Sequence, residues 1–191
     1  MLFRSVKPLI FTGYVIFGIA MWQYASIDLS TDYKHVAWLR ALQGLGIAPV
    51  FVPVSQLAYS YLPKNKNNKA SSLTNLFRNQ GGSVGIAFVT TFLARRTQFH
   101  QAILVEHATA TAPRYRQALG AITQYFAAHG FTNADAAVHA KAELARIIFR
   151  QAAFLGFLDC FWLLGCACFI GAPLVFLTRK FRTAGAAGGG H

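Results

Sequence analysis

Four long stretches of mostly apolar residues, separated by polar or charged segments, dominate the sequence. The hydrocarbon core of a bilayer is about 30 Å thick, and a helix needs roughly 20 apolar residues to cross it. Each stretch is long enough, and a single span in lipid satisfies its backbone only as a helix. The expected fold class is an all-α membrane protein with four transmembrane helices. The predicted spans are Pro8–Ile27, Val36–Leu62, Leu73–Ala94 and Ala152–Thr178.

The segment between the third and fourth spans, residues 95–151, follows a different pattern. Apolar residues recur at helical spacing on both sides of Pro113, which is predicted to separate two helices. Gly130 is a stop signal for the second of these helices, and Thr132 with Asp135 resembles the start signal of a capping box. We expect a helical hairpin outside the membrane whose last helix runs into the fourth span.

The charge of the chain is strongly positive, with 18 Lys and Arg against 6 Asp and Glu and a net charge of +12. Three basic stretches without acids lie before the first span, between the second and third, and after the fourth. The positive-inside rule then places both termini in the cytoplasm and residues 95–151 on the opposite side of the membrane, so no nucleic-acid partner is needed. Residues 179–191 form a glycine-rich cytoplasmic tail that we expect to be disordered. The basic stretches contain Arg4, Lys7, Lys64, Lys66, Lys69, Arg179, Lys180 and Arg182.

The second predicted span contains residues that interrupt helices. Pro49 and Pro53 each remove a backbone hydrogen bond, and Gly44 precedes them. Membrane helices tolerate such breaks where neighbouring helices or a cavity satisfy the freed backbone groups. We therefore expect Gly44, Pro49 and Pro53 to mark a place where this helix packs against others or borders a cavity.

The third predicted span carries a polar and glycine-rich face. Thr74, Arg78, Gly81 and Gly85 recur at spacings of four, three and four, which places them on one side of a helix. Gly81 and Gly85 form a GxxxG pair, which allows another backbone to approach closely. This composition predicts a face turned toward other helices and away from lipid.

Three ionisable residues lie within the predicted spans: Arg40, Arg78 and Asp159. A charge at this depth costs about 2.5–3.5 kcal/mol, so such residues usually face a bundle interior or a water-filled path. For both arginines, snorkelling to the interface is the alternative. Asp159 is either a proton-coupling carboxylate or an interfacial acid paired with a neighbouring arginine. Gln43 and Gln56 add polar groups that would line a path or hydrogen-bond between helices.

Patterns typical of enzymes and metal sites do not occur in the sequence. Cys160, Cys166 and Cys168 all fall in the last span, and the six histidines are scattered without ligand spacing. There is no glycine-rich phosphate loop and no nucleophile elbow. We predict neither enzymatic activity nor a metal site nor a cofactor.

The central part of the chain resembles the late helices of the EmrB/QacA family, which are fourteen-helix drug:proton antiporters of the major facilitator superfamily. The resemblance is carried by a glycine- and proline-broken helix, a basic loop and a polar glycine-rich helix, and it covers essentially the whole chain. The doubled arginine Arg95-Arg96, the long outer segment and Phe161-Trp162 are similar to the EmrB branch in particular. The matching runs are Gln43–Pro53, Leu62-Pro63 and Ala70–Gly85, the last containing Asn75-Leu-Phe-Arg78-Asn-Gln-Gly81-Gly-Ser-Val-Gly85.

The resemblance implies that the four spans correspond to helices 11 to 14 of an exporter in the bacterial inner membrane. The second and third spans would line the central cavity, which favours Arg78, Asn75 and Gln43 as residues of the path for small hydrophobic or amphipathic substrates. Asp159 would be a proton-coupling candidate and not a direct substrate contact. In the EmrB branch the transporter works with a periplasmic adaptor and an outer-membrane channel, so residues 95–151 are the candidate docking segment.

About ten helices of such an exporter, including its N-terminal half, have no counterpart in this sequence. Alternating access rocks two helix bundles around a site between them. We therefore expect a gene fragment or one part of a split transporter that does not transport alone. The alternative is a stand-alone four-helix membrane protein that acts on a partner through its periplasmic hairpin.

Overall fold

The computed structural model describes residues 6–60, 67–109 and 112–177, together with their side chains except at 6, 54–60 and 67–70. The predicted disordered tail at 179–191, the loop lysines Lys64 and Lys66 and the side chain of Gln56 lie outside these described residues. Within them every regular element is an α-helix. The helices are α1 (Val6–Tyr24), α2 (Tyr33–Ser60), α3 (Asn67–His107), α4 (Pro113–Ala128) and α5 (Asn133–Leu177).

The chain divides into two compact units. Unit 1 comprises residues 1–88 and 161–191, and so contains α1, α2, the first part of α3 and the last part of α5. Unit 2 comprises residues 89–160, with the remainder of α3, all of α4 and the first part of α5.

In unit 1, α1 and α2 approach closely through two glycines. A Cβ atom on Gly46 would lie 2.6 Å from the backbone nitrogen of Phe17, and one on Gly13 would lie 2.9 Å from the carbonyl oxygen of Gly46. Only residues without a side chain fit at this separation. Next to this contact, Met21 and Leu39 are almost completely buried.

The prolines of α2 do not divide the helix in two. Pro49 and Pro53 both lie inside the continuous helix Tyr33–Ser60. Pro53 is buried and Pro49 is half-buried, which places both near other parts of unit 1. A Cβ on Gly44 would meet no described atom within 4 Å, so Gly46 makes the close approach to α1.

The helices of unit 2 begin and end where the local signals indicate. Pro113 occupies the first turn of α4, and Gly130 follows that helix with a φ of 90°, a left-handed conformation that favours glycine. At the start of α5, the amide of Asp135 donates to the Thr132 hydroxyl, and that hydroxyl donates to the Asp135 carboxylate, at 3.3 and 2.6 Å. The predicted break, stop and start signals are confirmed.

One boundary drawn between a span and the outer segment is not a helix end: helix α3 continues from the predicted third span through Ala94 to His107. Helix α5 enters the predicted fourth span without a break at Ala152, as predicted. No helix-breaking residue occurs at either position, so the helical hydrogen bonding continues across a change in hydropathy.

Two helical segments in the described part are long and apolar enough to cross a membrane: Tyr33–Pro53 of α2 and α5, with mean hydropathies of 1.3 and 2.2. Only 17% and 22% of their most apolar stretches are buried, whereas the core helix of a soluble protein is mostly buried. Large apolar side chains such as Leu45, Phe77 and Ile170 are more than 60% exposed. These surfaces fit a lipid environment, because soluble proteins rarely expose apolar surface on this scale.

Candidate functional site

Arg78, predicted to lie on a substrate path, contacts an aromatic ring of the neighbouring helix. Its guanidinium carbon is 4.8 Å from the centroid of Phe51 on α2, and both residues belong to unit 1. A cation placed over a ring face gains about 0.5–1 kcal/mol at an exposed site and about 2 kcal/mol when desolvated. The Arg78 side chain is itself exposed, so its hydrogen-bond donors remain accessible.

Most of the remaining polar and glycine-rich surface of α3 is uncovered within the described residues, although Thr74 is half-buried. Asn75 is exposed, and a Cβ atom on Gly81 or Gly85 would meet nothing within 4 Å. The predicted role of the two glycines in helix packing stays a prediction, because the described helices of this chain place no partner against them. Arg78 and Asn75 thus belong to a surface open to a ligand or a further helix.

The polar residues in the first half of α2 interact with each other. Arg40 donates from Nη1 to Oε1 of Gln43 at 2.9 Å, one turn away on the same helix. Arg40 is exposed and Gln43 is half-buried. This pairing leaves the two alternatives for Arg40 open, since a snorkelling arginine and a path-lining arginine would both make it.

An apolar cavity of about 210 Å³ lies between α1, α2 and the last part of α5 in unit 1. Phe51 lies in its wall, so the aromatic ring that the Arg78 guanidinium contacts also borders the cavity. Arg78 does not line the cavity itself, but it is linked to the cavity wall through its contact with Phe51. The cavity is lined by Tyr14, Phe17, Gly46, Ile47, Val50, Phe51 and Cys168.

Asp159 lies in unit 2 and pairs with two basic side chains of α3. Its Oδ2 atom accepts a hydrogen bond from Nε of Arg96 at 2.6 Å and lies 2.6 Å from Nε2 of His100. The side chains of Arg96, His100 and Asp159 are 37%, 18% and 28% exposed, respectively. A carboxylate that faces two basic groups can hold a proton-exchanging cluster together.

The helices that carry this cluster touch one turn away. Thr97 is buried, and a Cβ on Gly156 would lie 2.8 Å from its hydroxyl oxygen. Since α3 and α5 are in near-backbone contact there, the cluster is held by packed helices and not by mobile side chains alone. On the other side, the Arg96 guanidinium lies 4.9 Å from the centroid of Phe99.

The sequence indicated Asp159 but neither of its partners. One of the two predicted alternatives for Asp159, an acid paired with a neighbouring arginine, matches the observed contact with Arg96, and His100 is a second partner. The signal that would have found the partners is the spacing of Arg96 and His100, four residues apart and so on one face of a helix. In the described part of the chain, no three His, Cys, Asp or Glu side chains cluster as a metal site would require.

Comparison with known proteins finds related sequences over nearly the whole chain. It is 30% identical over 176 residues to the colistin resistance protein EmrB of Acinetobacter baumannii, covering 92% of this chain and 34% of that protein. It is 25% identical over 187 residues to the multidrug export protein EmrB of Escherichia coli K12, covering 97% and 35%. The fatty acid resistance protein FarB of Neisseria gonorrhoeae is 26% identical over 188 residues, covering 98% and 35%.

The chain spans about a third of the length of these relatives. No protein-family model matches the chain. No solved structure matches it either.

Proposed function

The predicted resemblance to EmrB-like exporters of the major facilitator superfamily is confirmed by these relatives, and we propose that the chain forms part of a proton-coupled exporter of amphipathic compounds. The observation that carries the proposal is the similarity along 92% of the chain to a protein named for drug resistance. The chain corresponds to the last four helices of such an exporter, with both termini in the cytoplasm and α4 in the periplasm. Its place is the bacterial inner membrane, as the positive-inside pattern indicates.

The lipid-facing part of the proposal follows from exposure and composition. Helices α2 and α5 meet the length and hydropathy of spans, and we assign α1 and the first part of α3 as the other two. The hydropathy of α3 is lowered by Arg78, two amides and three glycines in its middle. Polar and small residues of this kind are typical of the helix face that packs inside a membrane bundle.

Arg78 is the residue that we assign to substrate binding. Its guanidinium lies over Phe51, a residue of the cavity wall, and we propose that the head group of an amphipathic compound meets Arg78 while its apolar part enters the cavity. Asn75, Gln43, Arg40 and Gln56 would then contribute further polar contacts along the path. In the proposed transport reaction, amphipathic compounds leave the cell in exchange for protons that enter it.

A transport cycle requires more helices than this chain supplies. Alternating access works by rocking one bundle against another around a midplane site. We propose that the chain exports only together with further transporter helices, which would cover the open face of α3. The segment containing α4 would face a periplasmic adaptor and, through it, an outer-membrane channel.

The direct test is a chimera in which this chain replaces the matching third of the Acinetobacter relative. It is expressed in a strain from which the efflux gene has been deleted, and drug accumulation and growth inhibition are measured. We expect export to be restored while the chain expressed alone restores none. A well-inserted chimera with no export would refute the assignment.

Variants of the chimera test the role of Arg78. Replacing Arg78 by Ala removes the charge that would bind the substrate head group; a hydrogen bond to a charged group is worth about 1.5–3 kcal/mol, so export should fall by roughly tenfold or more. Arg78→Lys keeps the charge but loses the planar stacking and should retain part of the activity. Arg146→Ala is the matched control, because Arg146 is an exposed arginine whose partner in the described part of the chain is Glu143 of its own helix. Equal export by all three variants would reduce Arg78 to a topological anchor.

The alternative of a stand-alone interaction protein predicts a different result. The chain by itself would then bind a periplasmic partner and change a phenotype without any transporter segment attached. That alternative would be favoured if the chain expressed alone changes the phenotype of the cells, and if this change requires α4 but neither Arg78 nor the rest of a transporter.

A further inference from the structure

The cluster around Asp159 fixes which nitrogen of His100 carries a proton. The Arg96 guanidinium is always charged, and its Nε donates to Oδ2 of Asp159 at 2.6 Å, so the two side chains form a salt bridge in which Asp159 is the ionised partner. The same oxygen lies 2.6 Å from Nε2 of His100. Two nitrogens at hydrogen-bond distance from an unprotonated oxygen must both donate, so Nε2 bears a hydrogen.

The opposite ring nitrogen of His100 is the one that can gain and lose a proton. Within the described residues, Nδ1 of His100 has no hydrogen-bond partner. The exposed histidines His107 and His129 differ, because their Nδ1 atoms bond to the carbonyl oxygens of Ile103 and Tyr125 at 2.8 and 2.7 Å. In those two rings Nδ1 is therefore the protonated nitrogen of the neutral form.

The charges around His100 sum to zero while its imidazole ring is neutral. On its own helix α3, Arg96 contributes one positive charge, and on α5 Asp159 contributes one negative charge, with the buried thiol of Cys160 beside it. A proton on Nδ1 changes the cluster from net zero to +1. Imidazole is the side chain type that commonly exchanges protons near neutral pH in proteins.

We propose that His100 is a proton-binding residue of this protein, with Asp159 and Arg96 as the fixed ion pair that orients its ring and Nδ1 as the site of protonation. The statement that His100 carries the proton exchanged during export rests on the proposed function. The statement that His100 binds a proton at Nδ1 rests on the geometry alone. The cluster lies one turn from the contact of Thr97 with Gly156, so the change of charge occurs where α3 and α5 are packed together.

The test is nitrogen NMR of the full chain in detergent micelles with ¹⁵N-labelled histidine. His100 and His107 are assigned by their His→Gln variants. We expect neutral His100 to show its pyridine-type, unprotonated nitrogen at Nδ1 and neutral His107 to show it at Nε2. A neutral His100 ring protonated at Nδ1 would overturn the proposal.

Two variants then test the fixed pair. The hydrogen bond between Nε2 of His100 and Asp159 should slow the exchange of the Nε2 proton with water, because the carboxylate holds that proton. This proton should exchange faster in Asp159→Asn, which removes the charged acceptor, and in Arg96→Gln, which removes the guanidinium that holds Oδ2. The ring protons of His107 should exchange at the same rate in both variants. If Asp159→Asn does not fold, Arg96→Gln remains decisive, and unchanged exchange at His100 there would overturn the proposal.

Export by the chimera separates this inference from the proposed function. With a pH gradient as the only driving force, His100→Gln should reduce export at least tenfold, whereas His107→Gln should leave it unchanged. A chimera that exports with His100→Gln as well as without it overturns His100 as the carrier. A chimera that never exports, together with the expected NMR tautomer and proton-exchange rates, refutes the proposed function and leaves the protonation site standing.

Discussion

A single methyl group added at the contact between α1 and α2 should separate the two helices. Gly46 has no room for a side chain, because a Cβ atom there would lie 2.6 Å from the backbone nitrogen of Phe17 and 2.8 Å from its Cα atom. Backbone atoms cannot rotate away as the end of a flexible side chain can. In Gly46→Ala the contact must therefore be relieved by movement of α1 against α2.

The magnitude follows from the distances. Ordinary van der Waals contact begins near 3.4 Å, so the helices must move apart by about 0.8 Å at this point. Overpacking of this kind costs about 1–3 kcal/mol of unfolding free energy. Alanine is also a better helix former than glycine by about 0.8–1.0 kcal/mol, which offsets part of that loss. The net change for Gly46→Ala alone is therefore about 0–2 kcal/mol of destabilisation.

Gly44 provides the matched control within the same helix. A Cβ atom on Gly44 meets no described atom within 4 Å, so Gly44→Ala gains the helix propensity without the clash. The propensity contribution cancels between the two variants, and their difference reports the clash of about 1–3 kcal/mol. In a chain of this size that corresponds to roughly 3–10 °C between their midpoints.

The assay is thermal unfolding of the purified chain in detergent, followed by far-ultraviolet circular dichroism at several heating rates. We expect Gly46→Ala to unfold at the lower temperature. The reciprocal variant Gly13→Ala should follow Gly46→Ala, because its Cβ would lie 2.7 Å from Cγ2 of Val50 and 2.9 Å from the Gly46 carbonyl oxygen. Equal midpoints for the variants at Gly44 and Gly46 would mean that α1 and α2 do not approach through these glycines.

Three further predictions concern the termini of helices and the topology. In a cysteine-free background, Gly120→Cys should react with a membrane-impermeant maleimide from outside intact cells, and Lys66→Cys should react only after permeabilisation; the reverse pattern would invert the assigned orientation. Hydrogen bonds from the side chains of Ser30 and Thr31 hold the pKa of Asp28 below its ordinary value of 3.8. These bonds stabilise the folded loop fully above pH 3.8, and the stabilisation is lost as the pH falls through the lowered pKa of Asp28. The protection factor of the Ser30 amide should decline over that range and should be independent of pH in Asp28→Asn. Gly130→Ala should destabilise the turn after α4 by about 1–2 kcal/mol, measured by amide exchange, because its φ of 90° is unfavourable for a residue with a Cβ.

Local signals in the sequence were sufficient for the helices of unit 2. Pro113, Gly130 and Thr132 act within one turn of their own position, by removing a donor, permitting positive φ or capping an amide. Such effects do not depend on the rest of the fold, so α4 and the start of α5 could be predicted from the residues alone.

The choice of glycine at the interface of α1 and α2 could not be predicted in this way. Gly44 and Gly46 are two residues apart and so lie on nearly opposite sides of a helix. Which of them faces α1 is set by the rotation of α2 about its axis, and this rotation depends on packing that involves Phe17 and Met21. Sequence spacing alone does not determine that rotation.

The partners of Asp159 lie 59 and 63 residues away in sequence. Pairing at this separation depends on how α3 and α5 align, and no periodicity within either helix contains that information. The cluster was therefore visible only as an isolated acid in one helix and as two basic residues in another. The contact of Thr97 with Gly156 sets the alignment that brings them together.

Arg78 and Arg96, both on α3, differ in how their positive charge is balanced. Arg96 is neutralised by Asp159 at 2.6 Å. Unit 1 contains only two acids, Asp28 and Asp32, both in the loop between α1 and α2, so the helices around Arg78 supply no carboxylate. A cation in an apolar span without a counter-ion costs about 2.5–3.5 kcal/mol, and the Phe51 ring recovers only part of that. An anionic or strongly dipolar group of a ligand would recover the rest, and this difference is why Arg78 is assigned to substrate binding and Arg96 to a fixed pair.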